Sequence, residues 1–261
     1  STRIFWHAGN AGYYQLRKKA PQDFPSKLFW PFKLSSSRVQ TPLIFAISQQ
    51  CLPMPKEWSL PSIHQPGYFF LEEQNYNPPP EFEKFLKSGK PSICVTFGSM
   101  VNPDVQRVTQ SILDAAIHLG ERIIILTGWG GWQPKVHNEN IFFIESAPHS
   151  WLFPQCKLVI HHGGAGTTAA GLRAGIPAII IPHAADQPFW GSRIADIGVG
   201  PAPIPVKKMT TEKLISALEQ TNSEHIRNKA AQISLQIQSE NGIEKAISII
   251  EKHADFFARQ T

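Results

Sequence analysis

The sequence predicts an α/β fold, a Rossmann-like parallel sheet with helices on both faces, preceded by a segment that forms only part of a domain. Two observations indicate this fold. From Ser92 onward, short apolar runs alternate with longer stretches of helical periodicity, a pattern typical of parallel strands joined by helical crossovers. In addition, the apolar run 158–160 leads through glycines into a helical pattern, as at the ligand-binding edge of such sheets.

The segment before the sheet contains few regular elements. Residues 43–47 form a short apolar strand candidate, and residues 81–87 show a short helical pattern. Between them, residues 52–80 are rich in proline and end in three consecutive prolines, which is typical of a linker. We expect three regions: the tail of a first domain with its linker over 1–90, a Rossmann-like domain over 91–240, and a C-terminal helix over 241–261.

The predicted sheet alternates strands with helices along the chain. The strands are expected over residues 93–97, 122–126, 141–144, 158–160 and 178–181. One helix begins at Asn102-Pro103-Asp104, because proline is favoured in the first turn of a helix. The remaining helices are expected over residues 169–174, 187–197, 211–219, 223–238 and 242–258.

Composition and charge bound the class of protein. The 261-residue chain has 42% hydrophobic and 17% charged residues, as expected of a soluble globular protein, and it contains no apolar run long enough to predict a transmembrane helix. Its three cysteines are far apart and in no paired motif, which favours a cytoplasmic compartment with reduced thiols. A net charge of +5 permits an anionic ligand or peripheral contact with an anionic membrane. Because the basic residues are scattered, we expect no nucleic-acid partner.

The most informative motif joins the fourth strand to the next helix. It reads HHGGAGTT, from His161 to Thr168. A helix that begins after glycines presents unpaired backbone N–H groups at the positive end of its dipole, which favours phosphate. Two imidazoles and two hydroxyls add side-chain donors, so a pyrophosphate is the expected ligand. No Lys-Ser/Thr pair follows the glycines and no G-x-G-x-x-G follows the first strand, which excludes the common triphosphate and dinucleotide loops.

A second polar pair follows the next strand. Asp186 and Gln187 come just after the apolar run 178–181, at the edge where open α/β sheets bind ligands. A carboxylate and an amide there would suit sugar hydroxyls beside a pyrophosphate. The same pair could instead stabilise the N-terminus of a helix, and the two roles are compatible.

The stretch from His161 to Gly200 resembles the donor-binding signature of UDP-dependent glycosyltransferases of the GT-B fold. It is similar to sterol glucosyltransferases and to bacterial enzymes that glycosylate lipid or antibiotic aglycones. Upstream blocks at 95–100, 127–130 and 147–154 recur in the expected order, and the resemblance covers about residues 41 to 250.

The resemblance implies roles for individual residues. It places His162 and Thr167 on the pyrophosphate, the pair Asp186 and Gln187 on the donor sugar, and uracil against the backbone of Ala147 to His149. The full set of donor-binding residues that we predict is Gly98, Ser99, Trp129, Ala147, His149, His161, His162, Gly164, Gly166, Thr167, Thr168, Asp186 and Gln187. Plant members carry a stacking Trp at the position of Ser146 and a ribose-binding Glu at that of Ala170, and both departures resemble the sterol-type branch.

The resemblance also implies the reaction. It is an inverting transfer of a hexosyl group, preferentially glucosyl, from a UDP-sugar to a hydroxyl of a sterol, lipid or other apolar acceptor. Similar enzymes place the catalytic histidine in a first domain, so we expect no catalytic residue in this chain and no turnover by it alone. We expect no cofactor and no metal, because the sequence has no D-x-D motif and no cluster of metal ligands.

Two other interpretations stay open. One is a non-catalytic nucleotide-sugar-binding module, and the other is a UDP-sugar epimerase, which would need acid/base carboxylates in the cleft. The expected partners are the UDP-sugar, the apolar acceptor, and either a first domain, toward which the C-terminal helix would cross, or a second copy of the chain.

Overall fold

The structure, a computed structural model, describes residues 42–56, 61–71, 75–98, 103–128 and 138–258. The strands are β1 (Leu43–Ile44), β2 (Ile63–His64), β3 (Ser92–Thr96), β4 (Ile123–Leu126), β5 (Ile141–Ile144), β6 (Cys156–His161) and β7 (Ala178–Ile180). The helices are α1 (Pro80–Lys87), α2 (Pro103–Leu119), α3 (His149–Leu152), α4 (Ala165–Ala174), α5 (Gln187–Asp196), α6 (Thr211–Thr221), α7 (Glu224–Gln238) and α8 (Gly242–Ala258). Two short 3₁₀ turns lie at Phe153–Gln155 and Val206–Lys208.

Strands β3 to β7 form one parallel sheet in the order β5-β4-β3-β6-β7. The chain therefore adds strands outward from β3 in one direction, then returns and continues with β6 on the other side of β3. Thr96 and His161, the last residues of β3 and β6, lie opposite each other in this register. The point between them is the topological switch point, where open sheets of this kind leave a crevice for ligands.

The core lies on both faces of the sheet, as expected for parallel strands built from continuous apolar runs. On one face, Ile93, Val95 and neighbouring strand residues pack against α2 and α6. On the other face, Cys94 and Val159 pack against α4, and α7 lies over α4. The predicted α/β class and the helices on both faces are confirmed, and all the strands predicted from residue 92 onward form.

The proline-rich stretch predicted as a linker carries more structure than its composition indicated. Ile63–His64 pairs in parallel with β1, and the Phe45 N–H donates to the His64 carbonyl at 2.8 Å. The preceding residues are tied to the sheet domain, since the Arg193 guanidinium donates twice to the Cys51 carbonyl, at 3.0 and 2.9 Å. Backbone pairing and side-chain contacts with distant residues leave no signal in composition. The proposed domain boundaries remain a prediction.

Two further properties bear on the expectations from sequence. Cys51, Cys94 and Cys156 are buried and form no disulfide. In the part of the chain that the structure describes, no helix combines the length and the apolar character that crossing a membrane requires.

Candidate functional site

The carboxyl ends of β3 and β6 place two predicted site segments side by side. Gly98 follows β3, and His162 follows β6 across the switch point. A Cβ built on Gly98 would lie 3.5 Å from Cε1 of His162, so the imidazole lies directly against this glycine. Segments that are far apart in sequence therefore meet at one crevice, as their positions after parallel strands predict.

Helix α4 begins at this crevice with an open N-terminus. Gly164 is its N-cap residue, in extended conformation, and as a glycine it has no side chain with which to cap the helix. The Thr168 N–H donates to the Gly164 carbonyl at 2.9 Å, but the N–H groups of the first turn before it have no partner within the helix. Gly166 is exposed, and a Cβ built on it would meet no atom within 4 Å. Among the described residues, the first turn of α4 is therefore uncovered at Gly166, and the positive end of the helix dipole lies at the switch point.

The ring of His162 fills the slot between Gly98 and Gly164. A Cβ at Gly164 would lie only 2.5 Å from His162 Nε2, so glycine is needed there for this ring position. Burial lowers the pKa of His162, while a hydrogen bond to the backbone of Thr96 and the charge of Asp186 act in the opposite direction. The neutral imidazole is therefore held at the crevice beside the helix N-terminus.

His161 has a different environment from its neighbour. Its side chain is fully buried, and its Nδ1 accepts a hydrogen bond from the Gly163 N–H at 3.1 Å. Burial, reinforced by His162 and His149, lowers the pKa of His161 to about 3. The motif predicted His161 as a ligand contact, but its ring lies inside the loop, where the hydrogen bond from the Gly163 N–H fixes the turn. Because the two histidines are adjacent in sequence, periodicity could not separate their roles.

The two threonines of the motif also differ. Thr167 is half-buried at the first turn of α4, beside the open N–H groups. Thr168 is 1% exposed, and its Oγ1 is buried with no hydrogen-bond partner. Of the two predicted hydroxyl ligands, the structure therefore leaves Thr167 partly exposed and buries Thr168.

Asp186 and Gln187 lie at the N-terminus of α5, beyond β7. Asp186 is exposed, and its Oδ2 accepts from the indole N–H of Trp190 at 2.8 Å rather than from the helix backbone. The side-chain oxygen of Gln187 accepts from the N–H groups of His183 and Ala184 at 2.8 and 3.0 Å. Both residues thus lie at a helix N-terminus and at the carboxyl ends of the strands. This position is compatible with both predicted roles, stabilisation of the helix and contact with the donor sugar.

A cleft of about 220 Å³ opens on the other side of β3. It brings together three predicted site residues, Gly98, Ala147 and His149, with Gly128 after β4. A Cβ at Gly128 would lie 2.4 Å from the Gly98 carbonyl oxygen, so these two loops are in close backbone contact. The His149 ring stacks on Phe153, with centroids 4.5 Å apart. Burial and the proximity of His162 lower the pKa of His149.

Two predicted site residues, Ser99 and Trp129, lie outside the residues that the structure describes. Conversely, the cleft includes Thr96 and Glu145, for which sequence analysis assigned no role. Their place in the cleft follows from strand geometry, because Thr96 ends β3, Glu145 directly follows β5, and the carboxyl ends of these parallel strands lie on the same side of the sheet. Among the described residues, no three His, Cys, Asp or Glu side chains are grouped so that they could hold a metal ion.

Comparison with known proteins gives one family match. The C-terminal domain of erythromycin biosynthesis protein CIII-like proteins matches residues 110–247. This range contains the β6–α4 motif, the Asp186–Gln187 pair, and helices α6 and α7.

Similar full-length proteins are considerably longer. A sterol 3-beta-glucosyltransferase of Arabidopsis thaliana is 38% identical over 208 residues, which cover 79% of this chain and 32% of that protein. A second Arabidopsis thaliana protein of the same name is 35% identical over 253 residues, which cover 96% of this chain and 41% of that protein. The chain therefore spans from about a third to about two fifths of the length of these relatives.

A solved structure has the same fold. CalG4, the calicheamicin glycosyltransferase, superposes with a TM-score of 0.69 over 95% of this chain and 61% of the CalG4 chain. Sequence identity in that superposition is 17%, so the similarity concerns the fold.

Proposed function

Since the chain belongs to the family of erythromycin biosynthesis protein CIII-like C-terminal domains, we propose that it is the donor-binding part of a UDP-sugar-dependent glycosyltransferase. The reaction transfers a hexosyl group, preferentially glucosyl, to a hydroxyl of a sterol or other apolar acceptor, with inversion. The names of the Arabidopsis relatives support a sterol acceptor.

One observation carries this proposal: the uncapped N-terminus of α4 faces the switch point of the sheet. A diphosphate there would accept from the N–H groups of the first turn and from the Thr167 hydroxyl. The imidazole of His162, held between two glycines, already donates to the backbone of Thr96, so it would donate to the diphosphate as well only in its protonated form, which the charge of the bound diphosphate favours. Fixed donors in a partly buried crevice stabilise negative charge without reorganising during the reaction.

This arrangement suits the departure of a nucleoside diphosphate. In the transfer, the bond between the anomeric carbon and the diphosphate oxygen breaks while the acceptor oxygen forms a new bond from the opposite face. The acceptor proton passes to a base outside this chain. The charge that develops on the leaving diphosphate falls at the helix N-terminus, so the chain would contribute to the rate as well as to binding.

The donor sugar would extend from the diphosphate toward α5. The exposed Asp186 carboxylate can accept from sugar hydroxyls while it keeps its bond to Trp190. The Gln187 side-chain oxygen is engaged by two backbone N–H groups, so a sugar contact by Gln187 would come from its amide N–H.

The proposal is tested by calorimetric titration of the chain with UDP, in the presence and absence of a chelator. We expect saturable binding that the chelator does not change, because the donors described above need no metal. Thr167→Ala and His162→Ala should each weaken UDP binding by about 1–3 kcal/mol, as expected for hydrogen bonds to a charged group.

Ser216→Ala provides a control, because Ser216 is exposed on α6, away from the crevice, and the change should leave UDP affinity as it is. Absence of UDP binding by the folded chain would contradict the proposed function. Binding that the chelator abolishes would contradict the metal-free site.

A further inference from the structure

The carboxylate of Asp186 does not cap the helix that it precedes. Asp186 is the N-cap residue of α5, a position where an aspartate normally accepts from the first N–H groups of its helix. Its backbone instead has helical dihedral angles, with φ of −83° and ψ of −8°, and its side chain accepts from none of those groups. A different donor holds it, because the indole Nε1–H of Trp190 donates to Asp186 Oδ2 at 2.8 Å.

Trp190 is a donor whose position is fixed by packing. Its side chain is 7% exposed and belongs to the hydrophobic core on the α4 face of the sheet. An indole has one polar group, its N–H, which needs an acceptor when the ring is buried. Side chains of a helix lean toward its N-terminus, so Trp190 reaches back to Asp186, four positions earlier on the same helix face. The packed ring therefore fixes the place of one carboxylate oxygen.

The backbone around Asp186 is restrained as well. The Gln187 side-chain oxygen accepts from the N–H groups of His183 and Ala184, which closes the loop before the helix. Within this loop, Ala185 has a φ of 56°, a left-handed conformation that alanine rarely adopts and that the surrounding contacts must maintain. Separate contacts thus restrain the backbone and the side chain of Asp186. Restraint of this kind is what holds an acceptor oxygen in one place for a ligand.

The restrained carboxylate lies close to the crevice. Asp186 is exposed, whereas the indole that holds it is buried. Burial lowers the pKa of His162, while a hydrogen bond to the Thr96 backbone and the charge of Asp186 oppose this effect. The carboxylate is therefore within electrostatic reach of the imidazole at the start of α4. A sugar attached to a diphosphate at that helix N-terminus would meet this carboxylate.

We propose that Trp190 is a positioning residue for the donor sugar, which holds Oδ2 of Asp186 so that Oδ1 selects one hydroxyl of the sugar ring. The inference rests on the proposed function, since it requires a UDP-sugar with its diphosphate at the N-terminus of α4. A carboxylate that rotates freely can accept from two neighbouring hydroxyls with its two oxygens. With one oxygen held by the indole, the carboxylate keeps one orientation and discriminates between ring positions. Because the sugar extends from the diphosphate toward α5, the hydroxyls that reach Asp186 are those farthest from the anomeric carbon, at C3 and C4.

Donors that lack one hydroxyl test this selection. Binding of UDP, UDP-glucose, UDP-3-deoxyglucose and UDP-4-deoxyglucose is measured by calorimetry for the wild-type chain and for Trp190→Phe, which removes the N–H and keeps an aromatic ring. In the wild type, loss of one of the two hydroxyls should lower affinity about 10-fold, as for one hydrogen bond to a charged group, and loss of the other much less. Trp190→Phe should bring the two deoxy-sugars to within about twofold of each other and leave UDP affinity unchanged.

Two further variants separate positioning from packing. Trp151→Phe makes the same substitution against the same core, at a ring that packs on Tyr76 with centroids 4.9 Å apart, and it should keep the wild-type selectivity. Asp186→Ala should abolish that selectivity. If Trp190 acts through Asp186, the variant that combines Trp190→Phe with Asp186→Ala should bind UDP-glucose no more weakly than Asp186→Ala alone. Additive losses would refute a positioning role.

A measurement on the wild-type chain serves if Trp190→Phe does not fold. The Nε1–H resonance of Trp190 should shift on titration with UDP-glucose and much less with UDP, because only the sugar reaches the carboxylate that accepts from this N–H. A resonance that responds equally to UDP and to UDP-glucose refutes the role of the indole in sugar binding.

The outcomes distinguish this inference from the function on which it rests. If the wild type binds UDP-glucose and loses equal affinity with either deoxy-sugar, or if Trp190→Phe keeps the wild-type selectivity, the role of Trp190 is refuted and the diphosphate site stands. If Trp190→Phe weakens UDP as much as UDP-glucose, the indole supports the crevice rather than the sugar contact, and the inference is refuted. If the folded wild type does not bind UDP, both the inference and the proposed function are refuted.

Discussion

Adjacent histidines at the end of β6 have different physical roles. His162 lies at the crevice between two glycines, whereas His161 is fully buried and accepts from the Gly163 N–H. That hydrogen bond requires an unprotonated Nδ1, so a proton at this nitrogen would both bury a charge and break the turn. The hydrogen bond that fixes the loop therefore forms only while His161 is neutral.

This arrangement makes the stability of the fold sensitive to acid. The folded pKa of His161 is lowered to about 3, below its value of about 6.5 in an unfolded chain. Between these values the unfolded chain binds the proton and the folded chain does not, so the free energy of unfolding falls as pH falls below about 6.5. This residue contributes a slope of at most ~1.4 kcal/mol per pH unit. His161→Gln should be less stable at pH 7 but should show a shallower loss of stability down to pH ~4.5.

The measurement is urea unfolding of both proteins at a series of pH values. His225→Gln is the matched control, because His225 is exposed and its replacement should leave the slope unchanged. If His161→Gln and the wild type lose stability with equal slopes, the buried neutral imidazole is not the cause of acid sensitivity.

At the scale of elements, the start of α4 depends on Gly164. A methyl group there would lie 2.5 Å from His162 Nε2, and the ring has Gly98 on its other side. Gly164→Ala should therefore displace the imidazole and lower UDP affinity by about as much as His162→Ala, ~1–3 kcal/mol. The fold should survive, because a single side chain can move to make room.

A double-mutant cycle checks this explanation. If Gly164→Ala acts through His162, the variant that combines it with His162→Ala should bind UDP no more weakly than either single variant. Additive losses in the double variant would show that Gly164 acts independently of the ring. Gly166→Ala is the reference for stability, because a Cβ at Gly166 meets no atom within 4 Å. Its unfolding temperature shows the effect of a methyl group that the same turn accommodates.

The sheet could be predicted from sequence because its signal is local. The run 158–160 and the glycines after it indicate a strand, a turn and a helix without knowledge of any distant contact. The strand at Ile63–His64 could not be predicted, since it is only two residues long and depends on pairing with Leu43–Ile44. Start positions also shifted: α4 begins at Ala165 rather than at 169, because its first turn is built from small residues without apolar periodicity.

The location of the site could be predicted from sequence, but the orientation of its side chains could not. Gly98, His162 and Gly164 each follow a parallel strand, and this position was sufficient to predict that they lie close together. Burial decides which of two adjacent side chains faces the crevice, and His161 and Thr168 are buried.

At the scale of the whole molecule, the sheet separates two hydrophobic cores, and the candidate site lies at the carboxyl ends of its strands. Away from that edge, α8 exposes Ile243, Ile247 and Ile250 at 40, 49 and 54%. These residues follow helical spacing and form one apolar face of α8. Self-association and contact with a first domain stay predictions.

The central claim is that a nucleoside diphosphate binds at the switch point between β3 and β6. Chemical-shift mapping of backbone amides during a UDP titration tests it most directly. We predict the largest changes at the amides of Gly98, Gly166 and Thr167, and small changes at Ile93 and Ile123 near the opposite edge of the sheet. Saturable UDP binding that leaves the first turn of α4 unperturbed would contradict the account.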